Sequence, residues 1–257
     1  MIKENEKEDE ENNKQSMEGQ NNPKVINKEN NLNNENNEYD AEILNVSEEY
    51  PNYDINFKII IIGNSGVGKT CITNNAVTNS FSNEYKSTIG MEIFSLYIKI
   101  KNNNTILKFQ IWDTCGQEIY RSLITNFYRS SSLAILVYSI DQRESFDDLD
   151  LWIKELKANN SPDTKLILVG NKLDLEDKRK VQYEEGKKLA QDFNFIGFFE
   201  TSAKTGKNIK DMFLKAAVIL YEEYNKFKDV EETNSNLSSF KPTYGKLLPK
   251  AKNKKCC

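Results

Sequence analysis

The segment Gly63-Asn64-Ser65-Gly66-Val67-Gly68-Lys69-Thr70 sets three glycines, a lysine and a hydroxyl in the spacing G-x-x-x-x-G-K-[ST]. Each residue type answers to an oxyanion. Glycines let the backbone curl so that successive N–H groups point inward, and a helix starting at Lys69 adds the positive end of its dipole. In such a loop Ser65, Gly66, Val67, Gly68, Lys69, Thr70 and Cys71 surround the phosphates. Lys69 is expected to reach the β- and γ-phosphates, and the Thr70 hydroxyl to ligate Mg2+. The spacing predicts a nucleoside triphosphate but names neither the base nor the reaction. A glycine-rich turn with an ordinary surface lysine is the competing reading, and the apolar run before the loop argues against it.

Three later segments narrow the chemistry. Asp113-Thr114-Cys115-Gly116-Gln117-Glu118 follows an apolar run and offers a carboxylate for Mg2+. Asn171-Lys172-Leu173-Asp174 follows the run Lys165–Gly170, and Thr201-Ser202-Ala203-Lys204 follows Phe198-Phe199. All of them fall at the carboxyl ends of expected strands, where an open α/β sheet builds its ligand crevice. A carboxylate accepting from the guanine N1–H and 2-amino group rejects adenine, which offers no such donor pair and leaves a costly unpaired acceptor.

The elements that must carry these segments are legible as alternating runs. Phe57–Ile62 (FKIIII) reads as a buried parallel strand and Lys69–Phe81 as a helix. Ile93–Lys101 and Thr105–Trp112 flank Asn102-Asn103-Asn104 and are expected to pair as a hairpin. Leu133–Ile140 and Lys165–Gly170 read as further buried strands. Phe146, Leu149, Ile153 and Leu156 between them, and Ile209, Met212, Phe213, Ala216 and Leu220 later, recur at helical spacing. Strands alternating with helices predict an α/β sheet with helices on both faces.

Composition sets the boundaries. Residues 1–55 hold 15 acids, 5 lysines and 14 asparagines, a charge of −10 in a chain whose net charge is −4, which leaves +6 for residues 56–257. That first stretch has almost no apolar periodicity and reads as a disordered, acidic, Asn-rich arm. Residues 56–226 form the expected nucleotide-binding domain. Residues 227–257 read as a flexible basic tail, with six lysines and no acid from Lys241 onward and Cys256 and Cys257 at its end. The chain has no histidine, which excludes Ser-His-Asp and Cys-His nucleophiles, HExxH proteases and HRD-type kinases. Its four cysteines are too few and too badly spaced for a zinc site, so a reducing compartment is expected. The opening MIKENEKEDE lacks an apolar signal core and a glycine for myristoylation, and the longest apolar runs, Ile59–Ile62 and Leu133–Tyr138, are far shorter than the roughly 20 residues that span a bilayer.

The segments YKSTIGMEI (85–93), FQIWDTCGQE (109–118), FYRSS (127–131), LVYSID (136–141), GNKLDL (170–175), ETSAKTGKNI (200–209) and the terminal cysteine pair resemble the small Ras-like GTPases, and within them the Rab family. The resemblance covers residues 56–226 and the last two residues. It implies a P-loop NTPase with the Ras-like G-domain fold, an α/β domain with a six-stranded mixed sheet and helices on both faces, binding GTP or GDP with Mg2+. It implies that Phe81 packs on the guanine with Tyr85 nearby. Thr88 would bind Mg2+ and the γ-phosphate, Asp113 would hold Mg2+ through water, and the Gly116 N–H would sense the γ-phosphate. Gln117 would position the attacking water. Asn171 and Asp174 would read the base, Lys172 would lie along its ring, Ala203 would donate an N–H to its carbonyl, and Ser202 and Lys204 would flank it.

The terminal Cys256-Cys257 pair resembles the Rab signal for double geranylgeranylation, since one lipid chain anchors only marginally and two are secure. Leu247-Leu248 resembles the aliphatic motif that Rab tails offer an escort protein. The implied partners are an exchange factor, an activating protein, a dissociation inhibitor, the escort protein and effectors, with no nucleic acid. The implied protein is a monomer in the cytosol that cycles to the cytoplasmic face of an intracellular membrane and directs vesicle traffic. A nucleotide-locked binding module and a plasma-membrane signalling GTPase compete with this. Gln117 argues against the first and the terminal cysteine pair against the second. The chain departs from the Rab pattern at Cys115 (usually Ala), at IGMEI (usually IGVDF), at Glu118-Ile119-Tyr120 (usually ERF) and at Ser130 (usually Gly).

Overall fold

The isoleucine run after Phe57 dictates the layering. In β2 (Ile55–Ile62), Ile59 and Ile61 lie on one side and Ile60 and Ile62 on the other, all fully buried, as the two-residue strand period requires. A strand apolar on both faces needs helices on both. The structure, a computed structural model, describes residues 39–45, 51–82, 88, 90–116, 127–233 and 246–247.

β2 is flanked in parallel by β4 (Ile106–Thr114) and β5 (Leu133–Ser139), and β6 (Lys165–Asn171) and β7 (Gly197–Glu200) continue the parallel order. β3 (Met91–Ile100) pairs antiparallel with β4, as the hairpin reading expects. On one face α1 (Lys69–Thr78) and α5 (Ile209–Thr233) cover Phe57, Ile59, Phe109 and Ile111, with Met212 and Phe213 in the same cluster. On the other, α2 (Arg143–Asp147), α3 (Leu149–Asn159) and α4 (Tyr183–Asp192) cover Ile60, Ile62, Leu136 and Tyr138, with Phe146 and Trp152 at the centre. This is the expected class, a mixed sheet between two helical layers.

Among the described residues the sheet has eight strands rather than six, and both additions come from segments read as arm and tail. β1 (Ala41–Ile43) pairs antiparallel with β3, Ala41 opposite Ile100 and Ile43 opposite Ile98. The Leu44 N–H donates to the Tyr97 carbonyl and the Lys101 N–H to the Asp40 carbonyl, each at 2.8 Å. Ala41 is fully buried, and Tyr39 and Ile43 pack on the cluster of the α1 and α5 face. The boundary expected at residue 56 therefore falls inside the sheet, because β3 would otherwise present a bare edge of unpaired backbone groups. β8 (Lys246–Leu247) pairs antiparallel with Ile55–Asn56, on the stretch of β2 that precedes its pairing with β5 at Ile59. α5 likewise continues to Thr233, past the expected end at 226.

Two helices are shorter than their patterns. α1 stops at Thr78 rather than Phe81, because Asn79 turns into the left-handed region (φ 51°) and gives its N–H to the Asn75 carbonyl. The apolar period from Phe146 to Leu156 is divided between α2 and α3 at Asp148. Among the described residues no helix is long and apolar enough to cross a membrane.

If β1 is part of the folded domain, Ala41→Asp buries an unpaired carboxylate and should lower stability by about 3 kcal/mol or more. Glu42→Ala, which removes only a half-exposed ion pair with Lys99, should stay within ~0.5 kcal/mol. Urea unfolding of the two variants beside wild type measures both, and an unchanged midpoint for Ala41→Asp would remove β1 from the domain.

Candidate functional site

The motifs meet where β2, β4, β6 and β7 end. The phosphate loop leaves β2 and enters α1 through Gly68, which sits at φ 97°, and a Cβ there would lie 2.3 Å from Asn171 Nδ2. Only glycine meets both demands. Gly116, just past β4, is equally constrained: its Cβ would lie 2.4 Å from Lys69 Nζ and 2.6 Å from the Asn64 carbonyl oxygen. The Asp113-to-Gly116 segment thus packs directly on the phosphate loop. Lys69 is 5% exposed and its ammonium donates to the Gly63 and Asn64 carbonyls at 2.8 Å each. Burial lowers its pKa to about 8, against a smaller upward pull from Asp113. Ser65 and Gly66 form the exposed crest of the loop, Val67 is buried beneath it, and Cys71 is half-buried in the first turn of α1.

Beside the loop three oxygens converge. Thr70 Oγ1 donates to Asp113 Oδ2 at 2.5 Å and lies 2.7 Å from Thr88 Oγ1. The other carboxylate oxygen, Asp113 Oδ1, is buried with no partner. Burial pushes this carboxyl up to about 6, partly opposed by the Thr70 hydrogen bond and by Lys69. Two hydroxyls and a carboxylate with one unsatisfied buried oxygen fit a small hard cation, which would keep Asp113 ionised. Among the described residues no group of three or more His, Cys, Asp or Glu side chains could hold a metal ion. Such a cation would therefore depend on ligand phosphates for the rest of its shell, as Mg2+ commonly does.

The other half of the site is organised by Asn171, 1% exposed at the end of β6. Its Nδ2 donates to the Val67 carbonyl at 2.9 Å, and its Oδ1 accepts from Thr201 Oγ1 at 3.1 Å and from the Ala203 N–H at 3.2 Å. One amide links phosphate loop, strand end and the Thr201–Lys204 loop. The Ala203 N–H, expected to face a base carbonyl, is directed at Asn171 here. Asp174 is exposed, with Oδ1 accepting from Ser202 Oγ at 2.6 Å. Lys172, in the left-handed region at φ 67°, stands 3.7 Å from Asp141. Lys204 is exposed next to buried Ala203.

Phe81 is 38% exposed beyond α1, not a core residue. Tyr85, Gln117, Cys256 and Cys257 lie outside the described residues. Three contributors lie outside the roles that the sequence motifs assign. Asp141 sits beside Lys172, and Arg179 clamps Glu200 with two hydrogen bonds at 2.6 and 2.8 Å, which fixes the residue just before Thr201. Asn64 is the third. LVYSID and ETSAK contain Asp141 and Glu200, but nothing in either segment marks the pairing. Ser130, at the position where the resembled pattern has glycine, adopts φ 62°, and Cys115 is 2% exposed with its N–H on the Gly90 carbonyl at 3.0 Å.

A phosphate loop, a threonine–aspartate corner and a base-side loop at the carboxyl ends of one parallel sheet define a nucleotide-binding P-loop domain. The Ras family model matches residues 58–222. The chain is 42% identical over 165 residues to the Ras-related protein Rab-13 of Canis lupus familiaris, covering 64% of this chain and 80% of that one. It is 42% identical over 158 residues to the Ras-related protein Rab-4 of Dictyostelium discoideum (62% and 76%) and 40% identical over 165 residues to the Ras-related protein Rab-4B of Homo sapiens (64% and 76%). The chain belongs to the Ras family of small GTPases, in its Rab branch, and hydrolyses GTP to GDP and phosphate.

Because three hydrogen bonds end on the Asn171 amide, Asn171→Ala should loosen both halves at once. GDP dissociation should accelerate at least ~tenfold, the equivalent of about 1.4 kcal/mol. Stopped-flow release of a fluorescent GDP analogue measures it, and a rate within ~twofold of wild type would contradict the linking role.

Proposed function

We propose that this GTPase is a Mg2+-dependent, guanine-specific switch that directs vesicle traffic from the cytoplasmic face of an intracellular membrane. The single observation that carries the reading is the corner where Thr70, Thr88 and Asp113 converge around an unsatisfied carboxylate oxygen. Thr70 and Thr88 would hold Mg2+ there through their hydroxyl oxygens and Asp113 through water, and the ion would supply positive charge against the charge that develops on the phosphate. Lys69 draws the β- and γ-phosphates into the loop, while the backbone N–H groups of Ser65 to Cys71 cradle them. Thr88 and the Gly116 N–H contact the γ-phosphate, so its loss frees both switch segments together. Gln117 orients the attacking water. No arginine stands in the phosphate loop, so an activating protein supplies that charge in trans. Intrinsic turnover is then slow, on the order of 10⁻⁴ s⁻¹.

On the base side, Asp174 pairs with the guanine N1–H and 2-amino group, Asn171 holds the ring edge, and Lys172 and Phe81 cover its faces, with Tyr85 nearby. Ser202 steadies Asp174, and the loop from Ala203 to Lys204 closes over the base carbonyl. Cys256 and Cys257 carry two prenyl groups, delivered with an escort protein and masked by a dissociation inhibitor in the GDP state. An exchange factor reloads GTP, and effectors bind the GTP form.

The base assignment predicts that GTP binds at least ~10³-fold more tightly than ATP in the presence of Mg2+, since adenine would cover the Asp174 carboxylate and leave it without a donor. Asp174→Asn should turn that preference towards xanthosine triphosphate. Competition titration against a fluorescent GDP analogue measures both, and equal affinity for ATP and GTP would remove guanine from the account.

The anchor is tested separately. Replacing Cys256 and Cys257 by serine should leave GTP binding unchanged and move the protein from the membrane to the soluble fraction. A single replacement should leave weak, salt-sensitive binding, with about 1 kcal/mol from each tail lysine near an anionic leaflet. Intact mass and fractionation of the native protein decide it. Two unmodified thiols would refute the lipid anchor.

A further inference from the structure

Asn64, the second residue of the phosphate loop, has a side chain that the phosphate chemistry does not use. Its Oδ1 accepts the indole N–H of Trp152 at 2.8 Å, and its Nδ2 donates to Asp148 Oδ2 at 2.6 Å. The orientation of the amide is fixed by its partners, because an indole only donates and a carboxylate only accepts. Trp152 is fully buried in α3 and Asp148 immediately precedes that helix. The backbone of the same residue faces the reaction. Its carbonyl accepts from Lys69 Nζ at 2.8 Å, and Gly116 packs so closely on it that an added Cβ would lie 2.6 Å from the Asn64 carbonyl carbon and oxygen. Asn64 thus has one side held by α3 and the other carrying Lys69 and Gly116.

The loop needs such a hold. Gly63, Gly66 and Gly68 sit at φ 140°, 76° and 97°, so they give the loop its shape at the cost of local stiffness. We propose that Asn64 is a positioning residue for GTP hydrolysis: its side chain locks the phosphate loop to the first turn of α3 and thereby sets where Lys69 and the Gly116 N–H meet the γ-phosphate. The residue type follows from the pair it bridges. Aspartate at 64 would set a second carboxylate against Asp148, and alanine would remove the acceptor that Asn64 gives the buried indole N–H.

The test uses the full chain loaded with nucleotide and Mg2+, reading single-turnover GTP hydrolysis and GDP dissociation. Asn64→Asp should slow hydrolysis about tenfold and speed GDP release about tenfold, since a displacement near 1 Å is enough to cost that much. Trp152→Phe, which removes one of the two bonds, should fall between it and wild type. The double variant Asn64→Asp with Asp148→Asn exchanges donor and acceptor on the same atoms and should bring both rates back to within ~threefold of wild type, a strongly non-additive result. A role confined to loop packing would not be rescued by that exchange. Wild-type rates in Asn64→Asp, or a double variant as slow as the single one, would overturn the proposal. Should Asn64→Asp not fold, the double variant decides alone: recovery within threefold supports the clamp, and a tenfold defect or failure to fold refutes it.

Discussion

The buried amide of Asn171 holds two distant stretches of chain in one register, and most of the site depends on it. Val67 and Asn171 are separated by 104 residues, yet the site requires the phosphate loop and the base-side loop to agree within tenths of an ångström. Packing alone does not deliver that, because neither loop is a regular element. An amide does, since it donates to one carbonyl and accepts from two groups on the other loop. Each bond contributes about 0.5–1.5 kcal/mol net, and the greater cost comes from leaving any of these buried groups unpaired. The same amide explains a neighbour. Gly68 must lack a side chain because the Asn171 carboxamide occupies the space its Cβ would fill.

Desolvation governs the electrostatics on the phosphate side. Lys69 and Asp113 are both buried, and burial moves each towards its neutral form, the lysine downward to about 8 and the carboxyl upward to about 6. Their mutual attraction opposes both shifts without cancelling them. A site of this kind is short of charge in both signs. A ligand bringing anionic phosphates to the ammonium and a cation to the carboxylate would stabilise it, and would tie nucleotide and metal binding to one electrostatic need.

What was legible in the sequence follows from how the information is distributed along it. The phosphate loop, the Asp113 segment, Asn171 to Asp174 and Thr201 to Lys204 are each contiguous, and each follows an apolar run, so their place at strand ends could be read directly. The hairpin of β3 and β4 was legible for the same reason. β1 was not: it is three residues long, its middle residue is Glu42, and it becomes a strand only because β3 offers an open edge. α4 escaped because it contributes little apolar surface, mainly Leu189 and Ala190. The ties from Asn64 to Trp152 and from Arg179 to Glu200 join residues far apart in the chain, and no local pattern announces them.

Among the described residues, Ser130 and Ile93 depart from the Rab pattern at exposed places that carry none of this framework's hydrogen bonds, which argues that the framework and the partner-facing surface are under separate constraints. Ser130 occupies the left-handed region at φ 62°, a conformation that costs a non-glycine residue about 1 kcal/mol or more. The turn persists because Ser131 ties back to the Tyr128 carbonyl through both its N–H and its hydroxyl. Cys115 is accommodated as a small buried side chain whose backbone keeps its bond to Gly90. Ile93, where the pattern has phenylalanine, stands 49% exposed at the start of β3 and touches none of the hydrogen bonds that order the site. Substitution at an exposed place such as Ser130 or Ile93 changes what a partner meets while leaving Asn171, Lys69 and the threonine–aspartate corner as they are. A GTPase built this way can keep its nucleotide chemistry and still diverge in whom it addresses.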